Sequence, residues 1–203
     1  IDNFLNPEDW KVISRAMLGT NDPTGPAGQV GWVWNPAVTT STGSETCDEL
    51  DDWQFTHLIY GNFGYEQSPL FNFMQPIIAD PRMNVRAIQR IKANLNPRHT
   101  EIVKHGYHVD VPFECTTAIF YVNSNDGYTE FEDGTQIESV ENRLIVFDSQ
   151  TSHTGSTCTN ARVRCVINFN YYTSKHTIED GHTKSSIYHN SNSSSRNWCI
   201  CWW

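Results

Sequence analysis

The sequence has no apolar run that approaches the ~18 residues needed for a membrane-spanning helix. Its first residues also lack the basic stretch followed by an apolar stretch that marks a secretory signal. We therefore expect a soluble, cytoplasmic protein with no membrane partner. Basic residues are few, since 14 Lys and Arg stand against 23 Asp and Glu, for a net charge of −9. Because an acidic surface repels phosphates, nucleic acid is not expected as a partner.

The six cysteines form no CxxC pair and show no spacing typical of a disulfide framework. A chain of 203 residues is also long enough to bury a sizeable core without covalent cross-links. These features favour reduced thiols, as in a cytosol. At this length we expect one domain.

Charged residues make up only 18% of the chain, whereas aromatic residues, Thr, Asn and Gly are frequent. This composition favours half-buried strands joined by tight turns over a helical bundle. Two helices are nevertheless predicted. The first begins after the capping residue Asn6 and ends at Gly19. The second begins at Ser68 and stops before Pro81, with a kink at Pro76.

From residue 83 onward the chain alternates between short apolar-rich segments and turns such as Asp133-Gly134. The predicted strands are 85–96, 107–111, 116–123, 128–132, 135–140, 143–147 and 162–171. Strands at this spacing predict a mainly β fold, either a sandwich or a double-sheet barrel. Residues 35–51 form a polar connection that is long enough to act as a lid.

His108 and Asp110 lie two residues apart in the predicted strand 107–111. Side chains at this spacing point to the same face of a strand, so an imidazole and a carboxylate could share one metal ion. Such a triplet also arises by chance. Alone, it is therefore a weak indication of a metal site.

Two later residues strengthen that interpretation. His153 follows the predicted strand 143–147 and is a candidate third ligand, and Arg164 enters the next strand eleven residues later. Two histidines and one carboxylate on one face of a metal leave its other positions open, as in non-haem Fe(II) oxygenases. A basic residue on the adjoining strand can bind a dicarboxylate through a charge-assisted pair.

Four segments of the chain, in this order and with these gaps, resemble the 2-oxoglutarate/Fe(II)-dependent oxygenases. The resemblance is to the prolyl-4-hydroxylase-like branch, which includes related genes common in marine phages. The four segments are His108-Val109-Asp110, Thr117–Asn123, Gly127–Phe131 and Asn142–Asp148. The resemblance implies a double-stranded β-helix, or jelly roll, with a few flanking N-terminal helices. It also implies an enzyme, placed in the host cytoplasm if the gene is viral.

The resemblance, together with a change of composition after Tyr172, sets the expected domain limits. The oxygenase domain is expected over residues 1–172, with its jelly-roll core at about 83–172. Residues 173–203 then form a polar tail that ends in an aromatic and cysteine cluster.

The resemblance also implies the cofactors. Fe(II) is expected on His108, Asp110 and His153, with 2-oxoglutarate as cosubstrate, O2 as oxidant and ascorbate as a candidate reductant. Enzymes of this family couple decarboxylation of 2-oxoglutarate to succinate and CO2 with hydroxylation of an unactivated C–H bond.

The far carboxylate of 2-oxoglutarate is expected to bind Arg164, with contacts from Tyr121, Asn168 and Asn94. Arg162 competes with Arg164 for this role, because the two residues share strand parity. We expect Arg164, since the alternating apolar positions that follow it fit the family's pattern.

The substrate has to be argued separately from the fold. A protein or peptide residue, prolyl by analogy, is the first expectation. A nucleobase or a small metabolite is the alternative, and the net negative charge weighs against nucleic acid. A catalytically silent jelly-roll module is a third interpretation, against which the intact set of ligands and anchor argues.

Overall fold

The structure, a computed structural model, describes residues 1–20, 28, 30–38, 51–62 and 66–174. Most of the predicted lid over residues 35–51, and nearly all of the predicted tail over residues 173–203, lie outside these ranges. Three of the six cysteines are described, and Cys115, Cys158 and Cys165 are buried free thiols. In the described ranges, no helix combines the length and the apolar character needed to cross a bilayer.

The N-terminal helix forms where its capping residues predict it. This helix, α1, spans Pro7–Leu18. The side-chain oxygen of Asn6 accepts hydrogen bonds from the backbone N–H groups of Glu8 and Asp9, at 3.0 and 2.9 Å. Gly19 ends the helix with a φ of 75°, a conformation that glycine adopts without strain.

The second predicted helix is only partly α-helical. Pro69–Met74 forms a 3₁₀ helix that Ser68 caps, and only Gln75–Ile78 forms an α-helix, α2. Pro76 was expected to kink a longer helix. It lies instead in the first turn of α2, where the missing N–H has no helical partner to lose.

Ten strands of the described chain form two antiparallel sheets, as predicted for a double-stranded β-helix. The strands are β1 Val33–Asn35, β2 Gln54–Gly61, β3 Glu66–Gln67, β4 Val85–Pro97, β5 Thr116–Tyr121, β6 Tyr128–Phe131, β7 Gln136–Glu138, β8 Arg143–Asp148, β9 His153–Gly155 and β10 Val163–Thr173. The larger sheet has the order β1-β2-β4-β10-β5-β8 with β3 beside β2, and the smaller sheet has the order β7-β6-β9. The prediction of a mainly β jelly roll is confirmed.

One predicted strand, residues 107–111, is not a regular strand. Within it, His108 forms a single β-bridge with His153, through backbone hydrogen bonds of 2.9 and 3.0 Å. His153 itself begins β9, which was not predicted. A strand of three residues is too short to show a hydrophobic period, so only its pairing with β6 and His108 defines it.

The apolar core lies between the larger sheet and the helices that cover one of its faces. The opposite face, which is turned toward the smaller sheet, has a much smaller apolar cluster around Ile119, Tyr121 and Val166. Polar side chains occupy most of the remaining positions on that face of β4, where Arg90, Lys92, Asn94 and Asn96 line a cavity. The fold therefore places its polar interior between the two sheets.

Candidate metal centre

The three predicted metal ligands come together between the two sheets. His108, Asp110 and His153 each offer one ligand atom, and these atoms all lie within 4.8 Å of one another. Nε2 of His108 lies 4.0 Å from Oδ1 of Asp110, and the two imidazole rings have their centroids 5.0 Å apart. Two residues far apart in sequence, His108 and His153, are neighbours because their backbones pair.

Both histidines are oriented as metal ligands require. Nδ1 of His108 lies 3.1 Å from the carbonyl oxygen of Gly106, and Nδ1 of His153 lies 3.0 Å from that of Thr151. A carbonyl only accepts hydrogen bonds, so each ring carries its proton on Nδ1 and leaves the Nε2 lone pair for a metal. Burial lowers the pKa of His108, which favours the neutral form that binds a metal.

Asp110 is a buried carboxylate surrounded by donors. The amide nitrogen of Asn168 lies 3.4 and 3.3 Å from its two oxygens, and that of Asn170 lies 3.4 Å from Oδ2. Burial alone would raise the pKa of Asp110, but Arg90 and the two histidines hold it well below its usual range. The carboxylate is therefore ionised, as a metal ligand must be. Asn168, expected near the cosubstrate carboxylate, lines the same cavity, and its amide contacts the Asp110 carboxylate.

Arg164 is a buried guanidinium at the other end of the same space. It is 3% exposed, and it donates from Nε to Ser139 Oγ at 2.8 Å and from Nη2 to Thr129 Oγ1 at 3.0 Å. No carboxylate of the described residues pairs with it. Leaving such a charge buried without a counterion is costly, so the site is suited to an anion. Arg162, its competitor in the sequence analysis, is exposed and does not line this space.

Two glycines make room for the Arg164 side chain. A Cβ at Gly127 would lie 2.6 Å from Arg164 Cδ and 2.5 Å from the carbonyl oxygen of Thr157. A Cβ at Gly155 would lie 3.3 Å from Arg164 Nη1. The backbone of the smaller sheet therefore closes around the guanidinium and fixes its place.

Tyr121, expected to contact the cosubstrate, lies behind Thr129 as seen from the cavity. Its hydroxyl donates to Thr129 Oγ1 at 2.8 Å, and its side chain is not among those that line the cavity. Thr129 therefore accepts from both Tyr121 and Arg164, which leaves its own hydroxyl hydrogen to donate to a ligand. Sequence reasoning missed Thr129 and Ser139, because a threonine and a serine in or beside a strand show no pattern that separates a ligand contact from an ordinary strand residue.

Asn94 lines the cavity as predicted and has unused hydrogen-bonding capacity. Its Oδ1 is buried without a hydrogen-bond partner among the described residues, and the same is true of Asn168 Oδ1. Asn96, two residues along β4, is satisfied instead, since its amide lies 3.3 Å from Nε2 of His105. Nδ1 of His105 in turn lies 3.2 Å from Asp52. On β4, Asn94 Oδ1 is therefore an acceptor that remains available to a ligand that donates a hydrogen bond.

The ligand triad and the guanidinium face one cavity of about 460 Å³. Three cationic side chains line it, namely Arg90, Lys92 and Arg164. Of the described residues around it, Asp110 is the one carboxylate. The volume and the charge suit a metal ion together with a small dicarboxylate.

A cluster centred on Glu130 fixes the segment that leads into His108. Glu130, on β6, accepts hydrogen bonds from the Tyr107 hydroxyl, from Lys104 Nζ at 3.0 Å and from Gln136 Nε2 at 2.6 Å. These bonds, that of Tyr107 foremost, lower the pKa of Glu130 to about 2. Because Lys104 and Tyr107 come just before His108, the cluster holds the irregular ligand segment against the smaller sheet.

The Glu130 cluster should make the free energy of unfolding depend on pH in the acidic range. The pKa of Glu130 is lower in the folded protein than in the unfolded chain, so its contribution is present above about pH 4.5 and is lost as the pH falls through about 2. In urea denaturation, the stability advantage of the wild type over Glu130→Gln should therefore shrink by about 1–3 kcal/mol across this range. Glu132→Gln, at an exposed position on the same segment, is the control. An equal pH effect in both variants would show that the cluster has no such role.

Comparison with known proteins adds evidence on the fold. No protein-family model and no curated protein matches the sequence. Among solved structures, the chain is similar to a prolyl hydroxylase from Trichoplax adhaerens in complex with a hypoxia inducible factor oxygen degradation domain peptide. That match has a TM-score of 0.55 at 14% identity and covers 90% of this chain and 86% of the other.

A second similar structure is the viral collagen prolyl hydroxylase from Paramecium Bursaria Chlorella virus-1, in its 2OG complex. It has a TM-score of 0.51 at 12% identity, and the match covers 85% of this chain and 93% of the other. Both matches extend over most of each chain. The chain therefore has the double-stranded β-helix fold of these two prolyl hydroxylases.

Proposed function

We propose that the protein is an Fe(II)- and 2-oxoglutarate-dependent dioxygenase that hydroxylates a C–H bond of a protein or peptide residue. The observation that carries this proposal is that the His108, Asp110 and His153 triad and the unpaired Arg164 face one cavity. When bound, Fe(II) and 2-oxoglutarate supply the oxidising chemistry, which converts O2, 2-oxoglutarate and a C–H bond into CO2, succinate and a C–OH group.

The chain's own residues prepare the site for these groups. His108 and His153 would hold the metal through Nε2, because both Nδ1 atoms are already committed to backbone carbonyls. Asp110 would complete the set as an ionised carboxylate. Three protein ligands leave the remaining metal positions open to cosubstrate and O2, whereas a fourth would block one of them.

Two aromatic rings, those of Phe147 and Phe131, pack beside His153. Phe147 packs edge-on against His153 with ring centroids 4.9 Å apart, and Phe131 packs edge-on against Phe147 at 5.1 Å. These contacts fix the imidazole plane and form an apolar wall beside it. A fixed imidazole ring would hold Nε2 of His153 in place for the metal.

The far carboxylate of 2-oxoglutarate would bind Arg164. A guanidinium meets two carboxylate oxygens with parallel N–H groups, and the Thr129 hydroxyl can add a neutral donor. Asn94 is proposed as a further contact through its amide NH2 group, because its side chain lines the same cavity. Ascorbate is proposed only as a reductant that keeps the iron in the Fe(II) state.

A peptide substrate is supported by the sequence resemblance and by the Trichoplax adhaerens complex, in which a protein of this fold binds a peptide. The cytoplasmic location and the viral link stay predictions from the sequence. A small metabolite and a nucleobase are the alternative substrates.

The proposal is tested by succinate formation. Protein loaded anaerobically with Fe(II) should be mixed with 2-oxoglutarate, ascorbate, O2 and separate pools of proline-containing peptides, free amino acids and nucleosides. We expect succinate to form in proportion to a peptide that gains one oxygen atom, and no succinate with the His153→Ala protein. Turnover confined to amino acids or nucleosides would overturn the peptide assignment, and absence of succinate from iron-loaded protein in every pool would overturn the enzyme assignment.

A further inference from the structure

The Asp110 carboxylate is held by side chains that the sequence analysis did not single out. Arg90, on β4, donates from Nη2 to the backbone oxygen of Asp110 at 3.1 Å, and the same nitrogen lies 3.5 Å from Asp110 Oδ1. It also donates from Nε to Oδ1 of Asn170 at 3.0 Å. Arg90 and Asn170 face each other in the register of β4 with β10, so the sheet itself sets this contact.

Asn170 connects Arg90 to the Asp110 carboxylate, because its side chain contacts both. Its amide nitrogen lies 3.0 Å from Thr117 Oγ1 and 3.4 Å from Asp110 Oδ2, and the residue is fully buried. Because its oxygen accepts from Arg90, the amide can present only its NH2 group to Asp110. The reverse orientation would place an amide oxygen against a carboxylate oxygen and an amide nitrogen against the guanidinium.

We propose that Arg90 is a positioning residue which, by direct contact and through Asn170, holds the Asp110 carboxylate in the orientation that binds the metal. The inference rests on the proposed function in one respect, namely that Asp110 is a metal ligand. The two oxygens of Asp110 have different surroundings. Oδ1 faces His108 Nε2 at 4.0 Å and Arg90 Nη2 at 3.5 Å, whereas Oδ2 faces the Asn170 amide. The network therefore restrains both oxygens and keeps Oδ1 turned toward His108.

Direct repulsion of the cation and positioning of Asp110 make opposite predictions for the loss of Arg90. A guanidinium beside a metal site repels the cation, so its removal should tighten metal binding if this direct repulsion alone mattered. If Arg90 acts by positioning, its removal should weaken metal binding, by the roughly 10–100-fold typical of an outer-shell partner. The direction of the change in affinity separates the two roles.

The test uses Mn(II) as the probe, with neither cosubstrate nor substrate present, and follows free Mn(II) by electron paramagnetic resonance. We expect Arg90→Met to raise the dissociation constant for Mn(II) by roughly 10–100-fold. The dissociation constant of Arg90→Lys should lie between those of this variant and the wild type, since one ammonium group cannot bridge Asp110 and Asn170 as the guanidinium does. Arg86→Met, which removes an exposed arginine of the same strand, should leave the constant unchanged. An unchanged or lower constant in folded Arg90→Met would overturn the inference.

Asn170→Leu, close to isosteric, provides the second arm. It should weaken Mn(II) binding, and adding Arg90→Met to it should cause a smaller loss than Arg90→Met causes in the wild type, because only the direct contacts of Arg90 with Asp110 remain to be removed. Should Arg90→Met not fold, an unchanged dissociation constant in Asn170→Leu overturns the inference. His153→Ala separates this inference from the function it rests on. Retained Mn(II) binding in His153→Ala would contradict the metal site itself, whereas retained binding in Arg90→Met alone would contradict only the role of Arg90.

Discussion

Replacing His153 with alanine is expected to abolish 2-oxoglutarate turnover and to weaken Fe(II) binding by more than the roughly 10–100-fold that loss of an outer-shell partner costs. His153 is 3% exposed, and its Nε2 is the atom that its backbone-bonded ring leaves for the metal. Two ligands would remain after the substitution, too few to hold the ion in a facial arrangement. Anaerobic equilibrium dialysis against Fe(II), followed by a succinate assay, measures both effects.

The matched control is His99→Ala. His99 is also a histidine near a carboxylate, with Nε2 3.3 Å from Asp51, but it does not line the cavity. Its removal should leave iron binding and turnover unchanged. His108→Ala and Asp110→Ala should reproduce the His153→Ala result. Undiminished iron binding in the His153→Ala protein would contradict the triad.

Replacing Arg164 with alanine is expected to raise the 2-oxoglutarate requirement by a factor corresponding to roughly 3–5 kcal/mol, the cost of deleting one partner of a buried ion pair. That energy corresponds to roughly 10²- to 10⁴-fold in concentration. The physical reason is that the cosubstrate carboxylate would be buried with no cation to meet it. Titration of turnover with 2-oxoglutarate measures the change.

Two further substitutions calibrate that effect. Tyr121→Phe removes a hydroxyl that reaches the site only through Thr129, so it should cost about 0.5–1.5 kcal/mol, the value of one neutral hydrogen bond. Arg162→Ala removes an exposed arginine two residues from Arg164 and should leave the 2-oxoglutarate requirement unchanged. A large defect in Arg162→Ala with a small one in Arg164→Ala would contradict the assignment of the anchor.

The parts of the fold that sequence reasoning predicted are those with a long local pattern. β4 and β10, of 13 and 11 residues, show alternation that needs no knowledge of their partners. The capping residues of α1 are equally local. β9 and the 3₁₀ helix were not predicted, because a three-residue strand is defined by its pairing and a 3₁₀ turn differs from an α-turn only in its hydrogen bonds.

The candidate site divides in the same way. The triad and Arg164 were predicted because their residue types and their order along the chain, His108, Asp110, His153 and Arg164, form a pattern that is visible in the sequence. Thr129 and Arg90 were not, because their roles follow from which strand residue faces which. The Arg90 to Asn170 contact, for example, depends on the register of β4 with β10, and this register joins residues 80 positions apart.

A shared site for the metal and the cosubstrate is tested most directly by an anaerobic calorimetric titration of the protein with 2-oxoglutarate, in the presence and absence of Fe(II). We expect a single site per chain whose affinity depends on both ends of the ligand. Binding should be tight only with Fe(II), should be lost in His153→Ala, and should weaken by roughly 10²-fold or more in Arg164→Ala. Binding of equal strength with and without Fe(II), or in Arg164→Ala and the wild type, would contradict the claim that this cavity holds the metal and the cosubstrate together.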